Sequence, residues 1–343
     1  MRVAMYYSNN DIRLQELPRP VIGPGELLLK IHSSGICGSD VMEWYRIHKA
    51  PLVLGHEIAG EVVEVGVGVE TFCLGDRVVA THHVPCLTCH YCRTGHETVC
   101  ETLRSGTNFH PGGFGEYVRL PAINVERGTW KIPAHVTYDL ATFVEPLACV
   151  LRGQRLACLR PGASILVLGS GISGLLHINL AVASGAGLVV ATDLSPYRLA
   201  AAKKFGASEA LPANSDVPGH FRELNEGRGA DLVIVCAGAE GAFRQAMAAV
   251  GRGGTMLVFA PTMEGVSLPL SINALFWRRD VTMTTTYAGG PGDCVTALDL
   301  IAHGRLNLEE MITHRFGLAD TVLGSRLVAE GNDSIKVIIH PQE

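Results

Sequence analysis

Cys86, Cys89, Cys92 and Cys100 lie in PCLTCHYCRTGHETVC as a C-x2-C-x2-C-x7-C array. Each two-residue gap lets a tight turn aim neighbouring sulfurs at one point, and the longer gap lets the chain return. Four thiolates suit a tetrahedral Zn²⁺ with every position filled, which is the structural arrangement. An iron–sulfur cluster takes the same four donors, but no proline follows the last Cys and nothing nearby suggests electron transfer. With the shell complete, His90 and His96 read as surface residues. A second set is dispersed: Cys37 in GICGSD, His56 and Glu57 in LGHEIAG, Glu145 in FVEPLA. Singly, a Cys or a His is an ordinary core residue. Together Cys37, His56 and Glu145 form the mixed set with an open position that a catalytic zinc requires.

A hydride acceptor would give that open metal its purpose, and one is legible. Gly169-Ser170-Gly171-Ile172-Ser173-Gly174 is a G-x-G-x-x-G between the apolar run SILVL and a helical segment. In that context the glycines allow a tight turn and close approach of a pyrophosphate, whose charge sits at the helix N-terminus. Asp193 ends the next strand nineteen residues after Gly174. Its carboxylate would accept from ribose hydroxyls and repel a 2′-phosphate, so NAD is expected over NADP. Arg198 could instead accommodate that phosphate, and Asp193 could also serve as a helix N-cap. Ala237, after Cys236 in DLVIVCAG, falls at the sheet edge where cofactor lies in such a fold.

Two textures must position these groups. Residues 1 to about 150 carry short β-type runs (ELLLKI, EVVEVG, DRVVAT) between Gly- and Pro-rich turns, the pattern of an irregular β module. From Pro161 strands and helices alternate: SILVL, LVVAT, EAL, DLVIVC, TMLVFA and VTMTTT are six strands of a parallel, doubly wound sheet. The chain of 343 residues suffices for two domains, and 18% charged residues argues against disorder. A net charge of −5 gives no electrostatic reason for a nucleic-acid partner. The N-terminus lacks the apolar core of a signal peptide, so a cytoplasmic location is expected. Ten cysteines there read as thiolates or metal ligands.

The motifs GPGE, GICGSD, GHE, GDRV, the four-Cys lobe, GGFGEY, EPLA and GSGISG jointly resemble the zinc-containing medium-chain dehydrogenases along nearly the whole chain. Glu145 in an EPL setting is similar to the sorbitol and threonine dehydrogenase branches. The resemblance implies a GroES-like catalytic domain (1–147, zinc lobe at about 84–102), a Rossmann domain (148–287) and a C-terminal return (288–343). It implies two Zn²⁺ per subunit, NAD, a secondary alcohol or polyol as substrate, and a homodimer or homotetramer. Under it Cys37 and His56 hold the catalytic zinc, while Glu57 and Glu145 alternate between direct and water-mediated ligation. Asp40 orients His56, and Ser39 accepts the proton of the substrate hydroxyl. Trp44, Tyr117 and Tyr287 are expected at the substrate.

Two departures stand out. Met42 replaces a relay histidine, leaving His48, water or the cofactor ribose to complete the route. Thr286 replaces the Arg of an Arg-Tyr pair, which weakens the case for sorbitol itself. His82 and His83 follow a β-type run, where adjacent side chains point opposite ways, so at most one should reach substrate. The apolar segment VSLPLSINALFW (266–277) is expected at an interface. A threonine dehydrogenase, a zinc-free quinone or enone reductase and a non-catalytic NAD- and zinc-binding protein are the alternatives.

Overall fold

The structure, a computed structural model, describes residues 1–105 and 109–343. The chain forms two compact units, Met1–Cys149 with Ala288–Glu343, and Val150–Tyr287. In the first, β1 (Arg2–Ser8), β2 (Asp11–Glu16) and β4 (Leu52–Val53) make a small sheet. A larger sheet holds β3 (Leu27–Gly35), β5 (Glu57–Val65), β6 (Arg77–Ala80), β7 (Tyr117–Leu120), β8 (Thr129–Lys131), β15 (Ile312–Gly317) and β16 (Lys336–His340). Its order is β15-β16-β3-β5-β6-β8, with β7 also on β3. Leu27, Leu29, Ile31, Ile58, Val62 and Val78 fill its core, all fully buried.

Register in this sheet builds the site. β3 and β5 are antiparallel with Gly35 opposite Glu57, so Cys37 leaves β3 beside the point where His56 enters β5. β5 and β6 pair Ile58 with Ala80, so Thr81 to His83 pass the same end. On the other side β16 pairs Ile338 with Gly35, which brings Lys336 there as well. The run ELLLKI continues through polar HSSG to Gly35 because partners on both sides satisfy its backbone.

In the second unit β9 (Ser164–Leu168), β10 (Leu188–Asp193), β11 (Glu209–Pro212), β12 (Ala230–Val235), β13 (Val250–Val258) and β14 (Thr282–Thr285) form a parallel sheet, order β11-β10-β9-β12-β13-β14. Every residue of β9 is buried, which is why SILVL shows no polar alternation. Helices Ile172–Ala183, Pro196–Lys204, Val217–Leu224 and Glu240–Ala249 connect the strands, and Phe221 and Phe243 pack against Leu166, Val190, Val233 and Val235. The expected class, a GroES-like β module with a six-stranded Rossmann sheet, is what the chain adopts. Among the described residues no helix is long and apolar enough to cross a membrane.

Candidate active site

The donor atoms of Cys37, His56 and Glu57 lie within 4.8 Å of one another. Glu145, in the first turn of the helix Val144–Leu156, belongs to a second group of the same tightness with His82 and His83. Glu57, not Glu145, thus completes the trio with Cys37 and His56. The groups adjoin, since the His56 and His82 rings are 4.8 Å apart, edge to face. Both His82 and His83 join this group, although adjacent side chains of an extended run point opposite ways. β6 ends at Ala80, strand alternation ends with it, and the two rings lie 3.8 Å apart.

Each acid at the site has its own partner. Asp40 Oδ1 is 3.3 Å from His56 Nδ1, which leaves Nε2 of that ring as the free donor. Burial opposes ionisation of Asp40, but His56 and Arg46 hold its carboxyl below the usual range. Burial would lower His56, yet Asp40 and Cys37 keep it well above the ordinary imidazole value. Lys336 Nζ, fully buried, donates to Glu57 Oε2. Burial pushes Glu57 up and Lys336 opposes it. Gly35 makes room for this pair, because a methyl group there would overlap both the carboxylate and the ammonium. His83 Nδ1 lies 3.0 Å from Glu145 Oε1, and Cys149 donates to the same oxygen at 3.5 Å. Burial would raise Glu145, but His83 holds it down. His82, deeply buried beside His83 and His56, is pushed well below the usual value by burial, and its Nδ1 has no hydrogen-bond partner.

Ser39 sits with Arg46 rather than with a histidine. The buried guanidinium donates to Ser39 O at 2.9 Å, to its Oγ at 3.1 Å and to Asp40 Oδ1 at 3.4 Å. Arg46 was not foreseen, and only its place four residues after Met42 hinted at it. His48 is exposed. Trp44 is half-buried on the same short helix, its ring 6.0 Å from Tyr45. Tyr117 is not at the site: it pairs with Lys30 of β3, five residues before Gly35, roughly 16 Å along a strand. Its ring instead lies under Arg19, 4.3 Å from the guanidinium carbon.

In the lobe, Cys89 and Cys92 sulfurs are 3.6 Å apart and those of Cys86 and Cys92 4.0 Å. Sulfurs bound at about 2.3 Å to a tetrahedral zinc stand about 3.8 Å apart, so the donor set fits the ion. The Thr88 hydroxyl and the amides of Thr88 and Cys89 lower the Cys86 thiol to about 5, favouring the thiolate. The open trio also fits zinc in donor type, with thiolate, imidazole and carboxylate each buried or half-buried.

In the second unit Gly171 caps the helix Ile172–Ala183, whose first turn holds Ser173 and Gly174. A methyl group on Gly174 would overlap Gly169 O, so the glycine is required for the helix to start tight against the strand. Ala237 closes the other side, within 3.0 Å of where a Gly169 Cβ would stand. Asp193 Oδ2 accepts from Ser170 N at 2.8 Å and Oδ1 from Ser195 N at 2.9 Å. The N-cap of the following helix is Ser195, so Asp193 is not spent on that role. Arg198 leans over Gly171, and its Nε is buried without a hydrogen-bond partner. Thr286 accepts through Oγ1 from the buried Arg152 at 3.1 Å. Tyr287 is half-exposed.

Comparison with known proteins fits this picture. Residues 23–133 match the family of alcohol dehydrogenase GroES-like domains, and residues 171–303 the family of zinc-binding dehydrogenases. A sorbitol dehydrogenase of Bacillus subtilis is 30% identical over 99% of this chain and 97% of its own. An L-threonine 3-dehydrogenase of Bacillus licheniformis is 34% identical over 95% and 94%. Among solved structures, a zinc-binding dehydrogenase of Sinorhizobium meliloti with NADP bound superposes with TM-score 0.88 at 27% identity, covering 99% of both chains.

Proposed function

The chain belongs to the zinc-containing medium-chain dehydrogenases, in the sorbitol and threonine dehydrogenase branch, and from that premise we propose that it oxidises a secondary alcohol or polyol to a ketone with NAD. It is an oxidoreductase that uses zinc and a nicotinamide cofactor. The observation that carries the reading is the convergence of Cys37, His56 and Glu57 at one end of the sheet. Those three residues would hold the catalytic ion, with Glu145 as the adjoining carboxylate, and the four-Cys lobe would hold a second, structural one. When bound, the zinc polarises the alcohol oxygen as a Lewis acid and the nicotinamide takes up hydride.

The remaining work falls to side chains. Asp40 fixes the His56 ring through Nδ1, and Nε2 of that ring would be the atom that holds the ion. Ser39 Oγ would accept the hydroxyl proton while passing its own to water, and Arg46 holds that oxygen in place by donating to it. Lys336 and His83 orient Glu57 and Glu145, and His83 favours the ionised form of Glu145. The Asp193 carboxylate, fastened to the glycine turn, supports NAD, whereas the unpartnered Arg198 Nε is the feature that would admit NADP. The chain works as a homo-oligomer in this reading, through the segment 266–277, in which Val266, Ile272 and Trp277 are 43%, 62% and 66% exposed.

L-Threonine remains the second reading, because Arg46 supplies a cation beside Ser39 that a substrate carboxylate could meet. A panel of polyols, secondary alcohols and threonine, followed by NADH absorbance with zinc-loaded protein, tests both. Oxidation of a polyol, abolished by Cys37→Ser with NADH binding retained, is expected. Turnover of no alcohol in the panel, or an undiminished Cys37→Ser variant, overturns the reading.

A further inference from the structure

Arg222, Arg228, Arg252, Arg278 and Arg279 line a single cavity of about 900 Å³ in the second unit. The residues before β12, the opening of β13 and the approach to β14 supply its walls. These strands are parallel, so the cavity lies at the edge where they begin. The turn Gly169–Gly174 leaves β9 at the opposite edge, so the cavity is not the dinucleotide's phosphate cradle.

The wall is cationic beyond its own needs. Asp231 is the one carboxylate in it, and its Oδ2 already accepts from Ser164 N and Oγ, both at 2.8 Å. Arg222 is fastened by Ala248 O at 2.6 Å and Pro218 O at 3.2 Å. Arg279 is fastened by Val250 O at 2.7 Å and Ala274 O at 2.8 Å. Carbonyl oxygens fix the direction of a guanidinium without cancelling its charge. Arg228 meets an exposed Glu226 at 3.4 Å. Arg278 lies over the Trp277 ring, and Arg252 is exposed. Among the described residues neither has an ion-pair partner. Guanidinium groups gathered in a concavity repel one another and focus a positive potential there. Their planar forks match phosphoryl oxygens two at a time.

We propose that this cavity binds a small polyanion, the di- or triphosphate group of a metabolite. The site is independent of the alcohol chemistry and of the cofactor turn. Inorganic pyrophosphate is the probe, titrated by calorimetry into holoenzyme saturated with NADH, so that the glycine turn is already filled. One equivalent should bind, more weakly as salt is raised. Arg252→Glu with Arg278→Glu should weaken it by about tenfold or more, with NADH affinity and alcohol turnover unchanged. Arg252→Gln with Arg278→Gln gives the same reading without charge reversal should the first pair fold poorly. No binding, or equal binding by the variants, overturns the proposal. So does a single-stranded oligonucleotide that binds here and is not displaced by pyrophosphate. Dissociation of the assembly by the variants, without any pyrophosphate binding, would instead assign the arginines to a contact between copies.

Discussion

Replacing Lys336 by Met tests the electrostatic design of the site most directly. Lys336 is 0% exposed and Glu57 2%, and Nζ and Oε2 form an ion pair, with the ammonium 5.4 Å from the Phe143 ring. Met nearly matches the Lys stem in length, so packing changes little and the loss is one of charge. A carboxylate left alone at that depth costs about 3–5 kcal/mol. In a unit of this size each kcal/mol moves Tm by about 2–4 °C, so Lys336→Met should melt roughly 6–20 °C lower. Glu57→Gln strands the ammonium and should cost a similar amount. The double variant removes both charges, and its loss should fall short of the summed single losses by at least about 2 kcal/mol. Circular dichroism melts on chelator-treated and zinc-loaded samples separate this coupling from metal binding. A shift below about 2 °C for Lys336→Met, or strictly additive losses, would refute the reasoning.

Asp139 accepts from Ser33 Oγ, His340 Nε2 and Arg315 Nε. Burial would raise its carboxyl, but those bonds hold it far below the ordinary carboxylate range. The bond from His340 to Asp139 raises His340 above 6.5, with Glu343 adding to this and Arg315 opposing it. A raised histidine stabilises the fold below pH 6.5 and loses that contribution as pH climbs through the raised value. The lowered Asp139 contributes above pH 3.8 and loses its share as pH falls. The stability gap between wild type and Asp139→Asn should therefore narrow as pH rises above neutrality, and melts at stepped pH showing a constant gap would remove the linkage. Asp40→Asn should weaken zinc at the open site by about 10–100-fold, measured by competition with a chromogenic chelator, and unchanged affinity would deny Asp40 its positioning role. Asp193→Ala should lower the ratio of kcat/KM for NAD over NADP, while an unaltered ratio would take the ribose contact away from it.

What could be read beforehand follows from how local the cause is. SILVL is recognisable as β9 because burial on both faces leaves its mark in five consecutive residues. Gly174 is recognisable because one contact, with Gly169 O, forbids any side chain. Cys37 and His56 are recognisable from their donor chemistry, whereas the residue types alone close that set with Glu145 and the fold brings Glu57 there instead. The rule that adjacent side chains point opposite ways holds only within strands, and β6 ends at Ala80, before His82 and His83. Tyr117 was placed at the substrate with no register to test it, and the pairing with Lys30 puts it far down β3. Thr286 reads as a lost charge in isolation, since Arg152, the cation bonded to it, stands 134 residues away.

The same distance argument explains which half of the site escapes a local reading. A donor announces itself by type, but its counter-charge only has to arrive in space. Arg46 is six residues from Asp40, whereas Lys336 is 279 residues from Glu57. Nothing about Lys336 in SIKVIIH distinguishes it from a solvated lysine until β16 is laid beside β3, with Ile338 at Gly35. That pairing sets the position of the ammonium and, through it, the orientation of Glu57. The C-terminal return therefore belongs to the electrostatics of the candidate site as much as to the sheet. A shift of β16 along β3 by one residue would turn Lys336 to the other face and strand Glu57 without altering any donor.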